Sequence, residues 1–354
     1  KEDVMLRPLV KNCQGDPPPD ARENTFFGGL RQGGGLLNLN NGGGPDAFRL
    51  LILNNFRLCC TAPVGYASAM GSNASAIPYR YVTWRLIEFQ MNSLRIALRV
   101  FPGDLDRAIM FVLVARLACS EWATATGIQR PAEHRPFSIN SLAASLSRPF
   151  ETVRRHVHGM IDAGICARTE HGIILSPTQD READIIAYYQ AAADLLRTLA
   201  AHLARHGVPM PQAQGVGANP LGPLVKASLD TGLVAIEKHL HTHWYELILH
   251  GTLIYENGRD IMGCPEQSRI YGNLVLTAEQ RRPAKIRDLA SVYGMPYPTV
   301  RRHIDGMMAA GALQKKAGGY ILDPEWTGDD DRIAMSNQTV DYLLRQFRTL
   351  AAAG

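Results

Sequence analysis

From Tyr79 onward the apolar positions recur with a helical period. Trp84, Ile87, Met91, Leu94 and Leu98 share one face of a helix predicted from about Tyr79 to Val100. Pro102-Gly103 break it, and Asp104 stands where an N-cap belongs. The next helix, Leu105 to about Trp122, is apolar nearly all round, which predicts burial. Thr124 to Pro136 reads as a polar loop. Ile139–Leu146 predicts a short helix, Ser147-Arg148-Pro149 a turn, and Phe150–Ala163 a second helix closed by Gly164, a left-handed C-cap position. Two short apolar runs, Ile165–Ala167 and Ile173–Leu175, are joined through Gly172 and predict a small hairpin. A long amphipathic helix follows from about Arg181 to His206, with Ile185, Tyr188, Ala192, Leu195, Leu199 and Leu203 on one side.

Part of this pattern occurs twice. TVRRHVHGMIDAG (Thr152–Gly164) returns as TVRRHIDGMMAAG (Thr299–Gly311), an offset of 147 residues that holds without a gap from 137–177 to 284–324. Those 41 positions contain 17 identities, among them Leu142/Leu289, Arg154/Arg301, Arg155/Arg302, His156/His303 and Gly172/Gly319. A period of this size is that of a domain and not of a solenoid, so the chain reads as a tandem duplication. The second copy predicts a long helix (about 224–255), a shorter one (about 267–280), helix, turn, helix and hairpin within 284–324, and a closing helix carrying Val340, Leu343, Leu344, Phe347 and Leu350. The loop at 124–136 is expected to be absent or shorter there.

The expected organisation is an extension at 1–75, a first half at 76–206, a Pro/Gly linker at 207–223 and a second half at 224–354. The extension carries Pro17-Pro18-Pro19, Gly33-Gly34-Gly35 and Gly42-Gly43-Gly44 and no sustained period. Such composition buries too little apolar area to offset its ordering entropy, so disorder is expected, as a tail or as sequence upstream of a natural start near Met70. Its glycine clusters lack the GK[ST] ending of a phosphate loop.

A formal charge of +4 permits a polyanionic partner without requiring one, so the local placement of arginine and lysine must decide. Six cysteines without CxxC spacing predict buried free thiols in a reducing compartment. The longest apolar run, Ala108–Ala115, is far too short to span a bilayer, and no signal-peptide pattern occurs; a cytoplasmic location is expected.

In the helix Phe150–Ala163, Val153, Val157, Met160 and Ile161 form one apolar stripe, and Arg154, Arg155 and His158 lie off it. In the second copy the stripe is Val300, Ile304, Met307 and Met308, with Arg301, Arg302 and Asp305 off it. Each helix thus offers an Arg-Arg pair toward its N-terminal half, where the helix dipole and free backbone N–H groups favour anions. His156 and His303 are expected to pack within their domains.

This order of elements, with Leu142-Ala143-Ala144, Thr152–Val157, Gly164 and Gly172 in one copy and Leu289-Ala290-Ser291, Thr299–Ile304, Gly311 and Gly319 in the other, resembles the winged helix-turn-helix domains of bacterial transcription regulators of the MarR, GntR and IclR kind. It departs from them at the turn, where Pro149 and Pro296 replace the usual Ser or Thr cap. The resemblance implies a mainly α fold of two winged helix-turn-helix domains, each of three helices and a β-hairpin wing, connected by long helices about a pseudo-twofold repeat. It implies that Phe150–Ala163 and Tyr297–Ala310 are recognition helices, and that Arg168–His171 and Gln314–Gly318 are wing tips. The expected partner is double-stranded DNA, read by an intramolecular pseudo-dimer or a homodimer at two half-sites. Arg154, Arg155, Arg301 and Arg302 are the leading contacts, with Arg148, His158, Lys315 and Lys316 in support. Transcriptional regulation is the first expectation. A plasmid replication initiator or chromosome-segregation protein shares the fold, and an interaction scaffold that never meets DNA is the reading from a different class.

One further pattern competes. His239, His243, Glu246 and His250 fall near one another on a helical wheel, and i, i+4 histidines can chelate a divalent ion. HExxH is missing, however, since Leu240 and His241 follow His239, and the stripe borders the apolar face of Leu233, Ile236, Leu240, Trp244 and Leu247. Packing at a helix edge is the favoured explanation. With no GxSxG and no phosphate loop, neither an enzyme nor a cofactor is expected.

Overall fold

A computed structural model describes residues 37–38, 77–124, 127–146, 148–208, 221–238 and 244–353. The remainder of the predicted 1–75 extension and most of the predicted linker lie outside the described residues. Within them the chain is mainly helical and carries twice a pair of short helices followed by an antiparallel hairpin, an arrangement of winged-helix type.

A two-residue strand β1 (Leu37–Asn38) pairs with β4 (Ser176–Pro177). The first half proper begins with α1 (Tyr79–Val100) and α2 (Leu105–Trp122). The Asp104 carboxylate accepts the Arg107 backbone N–H at 2.8 Å, the cap its position predicts. Every residue from Ala108 to Ala115 is buried, so α2 has no solvent face over this stretch, and each large side chain such as Phe111 adds about 1.5–3 kcal/mol of burial. Then come α3 (Ile139–Leu146), α4 (Phe150–Asp162), a hairpin of β2 (Ala167–Thr169) and β3 (Gly172–Ile174), and α5 (Glu182–His206), which ends on left-handed Gly207.

The second half runs α6 (Leu221–Lys238), α7 (Trp244–Met262), α8 (Pro265–Tyr271), α9 (Ile286–Tyr293), α10 (Tyr297–Ala309), β5 (Leu313–Lys316), β6 (Gly319–Leu322), α11 (Pro324–Gly328) and α12 (Asp330–Ala353). Two sequence expectations need correction. The single helix expected over about 224–255 is described as two, α6 and α7, with 239–243 outside the described residues and α7 reaching Met262, and the helix expected at 267–280 is the shorter α8. The connection leading into α9 is accordingly not the reduced copy of 124–136 that was expected; it holds a helix of its own. Helix α6 begins at Leu221, inside the stretch read as linker.

The packing partners interchange as a repeat requires. Helix α1 lies against α7 and α12 of the other half, while α6 lies against α2 and α5; α1 also packs on α5 and α6 on α12. Each second short helix rests on its own half's core helix, α4 on α2 and α10 on α7. The wings repeat in detail, since the single bridge Phe137–Ile173 recurs as Ala284–Tyr320 and lends each hairpin a third edge.

That bridge brings two backbones together at Gly319, whose φ is 152° and whose added Cβ would sit inside the Ala284 carbonyl. Gly319→Ala therefore forces the 284 edge away from the hairpin, beyond the strain of about 1–3 kcal/mol that such a conformation imposes on its own. Thermal unfolding should show a drop of several degrees; a variant melting like the parent would mean the bridge is dispensable.

Candidate nucleic-acid interface

The helices α4 and α10 are positioned by the same residues. Val153, Val157 and Met160 in one, and Val300, Ile304 and Met307 in the other, are buried and fix which side of each helix faces inward. Pro149 and Pro296 occupy the N-cap positions in the extended conformation, with no side-chain cap. The proline departure from the winged-helix pattern thus leaves the first turn's N–H groups without a capping side chain. The C-terminal ends are turned by Gly164 (φ 55°) and Gly311 (φ 72°), as their spacing predicted.

The arginine pairs divide into two kinds. Arg154 forks onto Glu151, with Nε at 2.7 Å from one carboxylate oxygen and Nη2 at 2.5 Å from the other. The hydrogen bond to Arg154 holds the Glu151 carboxyl below its ordinary range, with Arg154, His158 and Arg155 adding their charge. Arg301 pairs with Asp305 at 3.3 Å and also engages the Tyr297 hydroxyl. Their neighbours Arg155 and Arg302 are exposed and make no ion pair within 4 Å among the described residues.

The supporting residues fall less evenly. Lys315 and Lys316 are exposed where β5 enters its turn. The matching first wing is nearly neutral: Glu170 lies 3.3 Å from His171, and Arg168 Nη2 meets the His158 ring at 3.0 Å, tying wing to helix. Arg148 is half-buried, with its guanidinium 4.7 Å from the centre of the Trp244 ring of the other half.

His156 and His303 are half-buried. Burial lowers the pKa of both; Asp106 and Asp104 oppose this at His156 and Glu246 at His303, while Arg155 and Arg107 reinforce it at His156 and Arg302 at His303. The His303 ring lies parallel to Tyr245 with centroids 6.2 Å apart. Behind the two helices, Asp106 of α2 accepts the Trp244 indole N–H at 2.9 Å and the Tyr245 hydroxyl at 3.1 Å. One carboxylate therefore joins the starts of α2 and α7, the core helices that carry α4 and α10.

The sequence reading missed one element of this surface. Phe150 and Tyr297, equivalent in the repeat, are 45% and 49% exposed at the first turn of α4 and α10. The signal was an aromatic residue at N1 in both copies, off the apolar stripe.

Of the competing histidine set, His239 and His243 lie outside the described residues. Glu246 and His250 are half-buried on α7, and His250 meets the Trp326 ring edge-on at 5.0 Å. Among the described residues no group of three or more His, Cys, Asp or Glu is placed to hold a metal ion. Cys119 and Cys166 are buried free thiols and Cys264 a half-buried one; no described helix is long and apolar enough to cross a membrane.

No protein-family model, no curated protein and no solved structure matches this chain.

Proposed function

We propose that the chain binds double-stranded DNA through α4 and α10, acting as two winged helix-turn-helix readers within one polypeptide, and that it regulates transcription. One observation carries the reading. At the same position of both copies, Arg155 and Arg302 project into solvent from the outward side of a helix whose opposite side is buried. An exposed α-helix fits the major groove, where a guanidinium meets guanine O6 and N7 or a phosphate. In α4 the uncapped first turn adds backbone donors for a phosphate, whereas Pro298 removes one from α10. The exposed lysines of the second wing suit a backbone contact, so the second reader supplies more of the electrostatic attraction and the first more of the neutral contacts.

A scaffold function is the second reading, and the exposed Phe150 and Tyr297 favour it, since exposed aromatics are typical anchors of protein interfaces. Affinity for random double-stranded DNA measured across a salt series separates the two. DNA binding predicts micromolar affinity that falls steeply with salt, by about 0.9 logarithmic units per neutralised phosphate for each tenfold rise. The absence of binding at low salt would move the assignment to the scaffold.

A further inference from the structure

Behind α10 the two halves line an open-mouthed cavity of about 550 Å³, a size typical of small-molecule sites. Its walls come from α1, α2, α6, α7, α10 and α12, and most are apolar, with Trp84, Ile87, Ile254 and Met307 among them. One end is different. Arg80 and Arg281 both line it and converge on Thr327, Arg80 donating to its carbonyl at 3.0 Å and Arg281 to its hydroxyl at 2.7 Å. Arg281 is only 9% exposed.

Neither guanidinium forms an ion pair within 4 Å among the described residues. Burial pushes Arg281 down to about 10, with Arg80 beside it acting in the same direction and Asp323 opposing. Burial also lowers Arg80. Asp323, already bonded to Gln314 and the Trp326 N–H, offsets this positive charge only in part. Two other charged residues line the cavity. Arg332 stacks on Trp326 at 3.9 Å and has Asp329 as its partner. Glu246 stands eleven residues before Asn257, roughly 16 Å along α7, whereas the segment carrying Arg281 is tied to Asn257 itself.

From an apolar chamber closed at one end by an under-neutralised arginine pair, we infer that this cavity binds a monoanionic amphipathic carboxylate, apolar body along the tryptophans and carboxylate at Arg80 and Arg281. The carboxylate would remove the excess charge where desolvation makes it most costly. Because Met307 of α10 and its C-cap residue Ala310 form part of the wall, occupancy braces the second reader from behind. Any effect on DNA rests on the proposed function; binding of the carboxylate does not.

Decanoate, kept below its micelle concentration, is a suitable probe, with decanol as the uncharged match. Trp84, Trp244 and Trp326 line the cavity and report through their fluorescence, with thermal unfolding as a second readout. Decanoate should produce a saturable change and a higher Tm, binding at least tenfold more tightly than decanol. Arg80→Gln should erase that preference. Gly251→Leu places its side chain in the cavity, its Cβ only in ordinary contact with Ile87 at 3.7 Å, and gains helix propensity, so it should fold and lose binding of both probes. Equal affinity for the two probes, or an intact preference in Arg80→Gln, would overturn the carboxylate assignment. Undiminished binding by folded Gly251→Leu, or no saturable response to decanoate, would overturn the site.

Discussion

Asn257→Leu is expected to lower the stability of the chain by about 1–4 kcal/mol, a large part of what a domain possesses. Asn257 is buried on α7 and uses both ends of its amide: the nitrogen donates to the Arg282 carbonyl at 2.7 Å, and the oxygen accepts the Leu322 N–H at 2.8 Å. A third contact, to the Tyr320 carbonyl at 3.3 Å, is long, and that carbonyl also accepts from Ala284. Leucine matches the volume but leaves the buried Leu322 N–H without its partner, at roughly 1–3 kcal/mol, and the part-buried Arg282 carbonyl without its own, at less. Denaturant unfolding measures the total. Hydrogen exchange should show the 313–322 hairpin losing protection first, because the amide is what fastens β6 to the core helix. If the variant unfolds at the parent's midpoint, that fastening role is wrong.

The second large effect concerns affinity. Arg155→Ala and Arg302→Ala together should weaken DNA binding by at least about thirtyfold, at about 1–3 kcal/mol for each good base contact, and the slope against salt should fall by about one unit for each contact that is to phosphate. Arg154→Ala with Arg301→Ala should cost less, because those guanidiniums must first give up Glu151 and Asp305. The same geometry predicts that Glu151→Gln tightens binding, by releasing Arg154 and removing a negative charge from the surface offered to DNA. Titrations of the three variants on one labelled duplex give the ranking. If Arg155 and Arg302 prove no more important than Arg154 and Arg301, the outward side of the helices has been assigned wrongly.

Much of the fold was legible because punctuation and period agreed. Pro102-Gly103 with Asp104, Pro149, Gly164 and Gly207 mark helix ends that the structure reproduces. The repeat then carried the helix–helix–hairpin order from one copy to the other. The failure around 255–280 has a specific cause. Asn257-Gly258 is a dipeptide that in isolation signals a turn. Here it lies within α7, since Asn257 spends its polar groups on the hairpin and Gly258 makes room for Trp84, which an added Cβ would meet at 3.1 Å. Both reasons are contacts with distant sequence, invisible to a local pattern. The candidate interface was legible as residue types but not as pairings. Sequence alone placed Arg154 beside Arg155 without showing that Glu151 engages one and not the other, and it gave no sign that Arg148 would lie over Trp244.

The interchange of helix partners between the halves bears on how the protein is made. Helix α1 finds α7 and α12 only after most of the chain has left the ribosome, and α2 must wait for α6. A nascent chain that stops at His206 therefore lacks the helices that lie against α1, α2 and α5 from the second half, and it should aggregate or recruit a chaperone. The interchange thus makes each half the folding partner of the other and fixes a one-to-one ratio of the two helix–helix–hairpin units at the moment of synthesis.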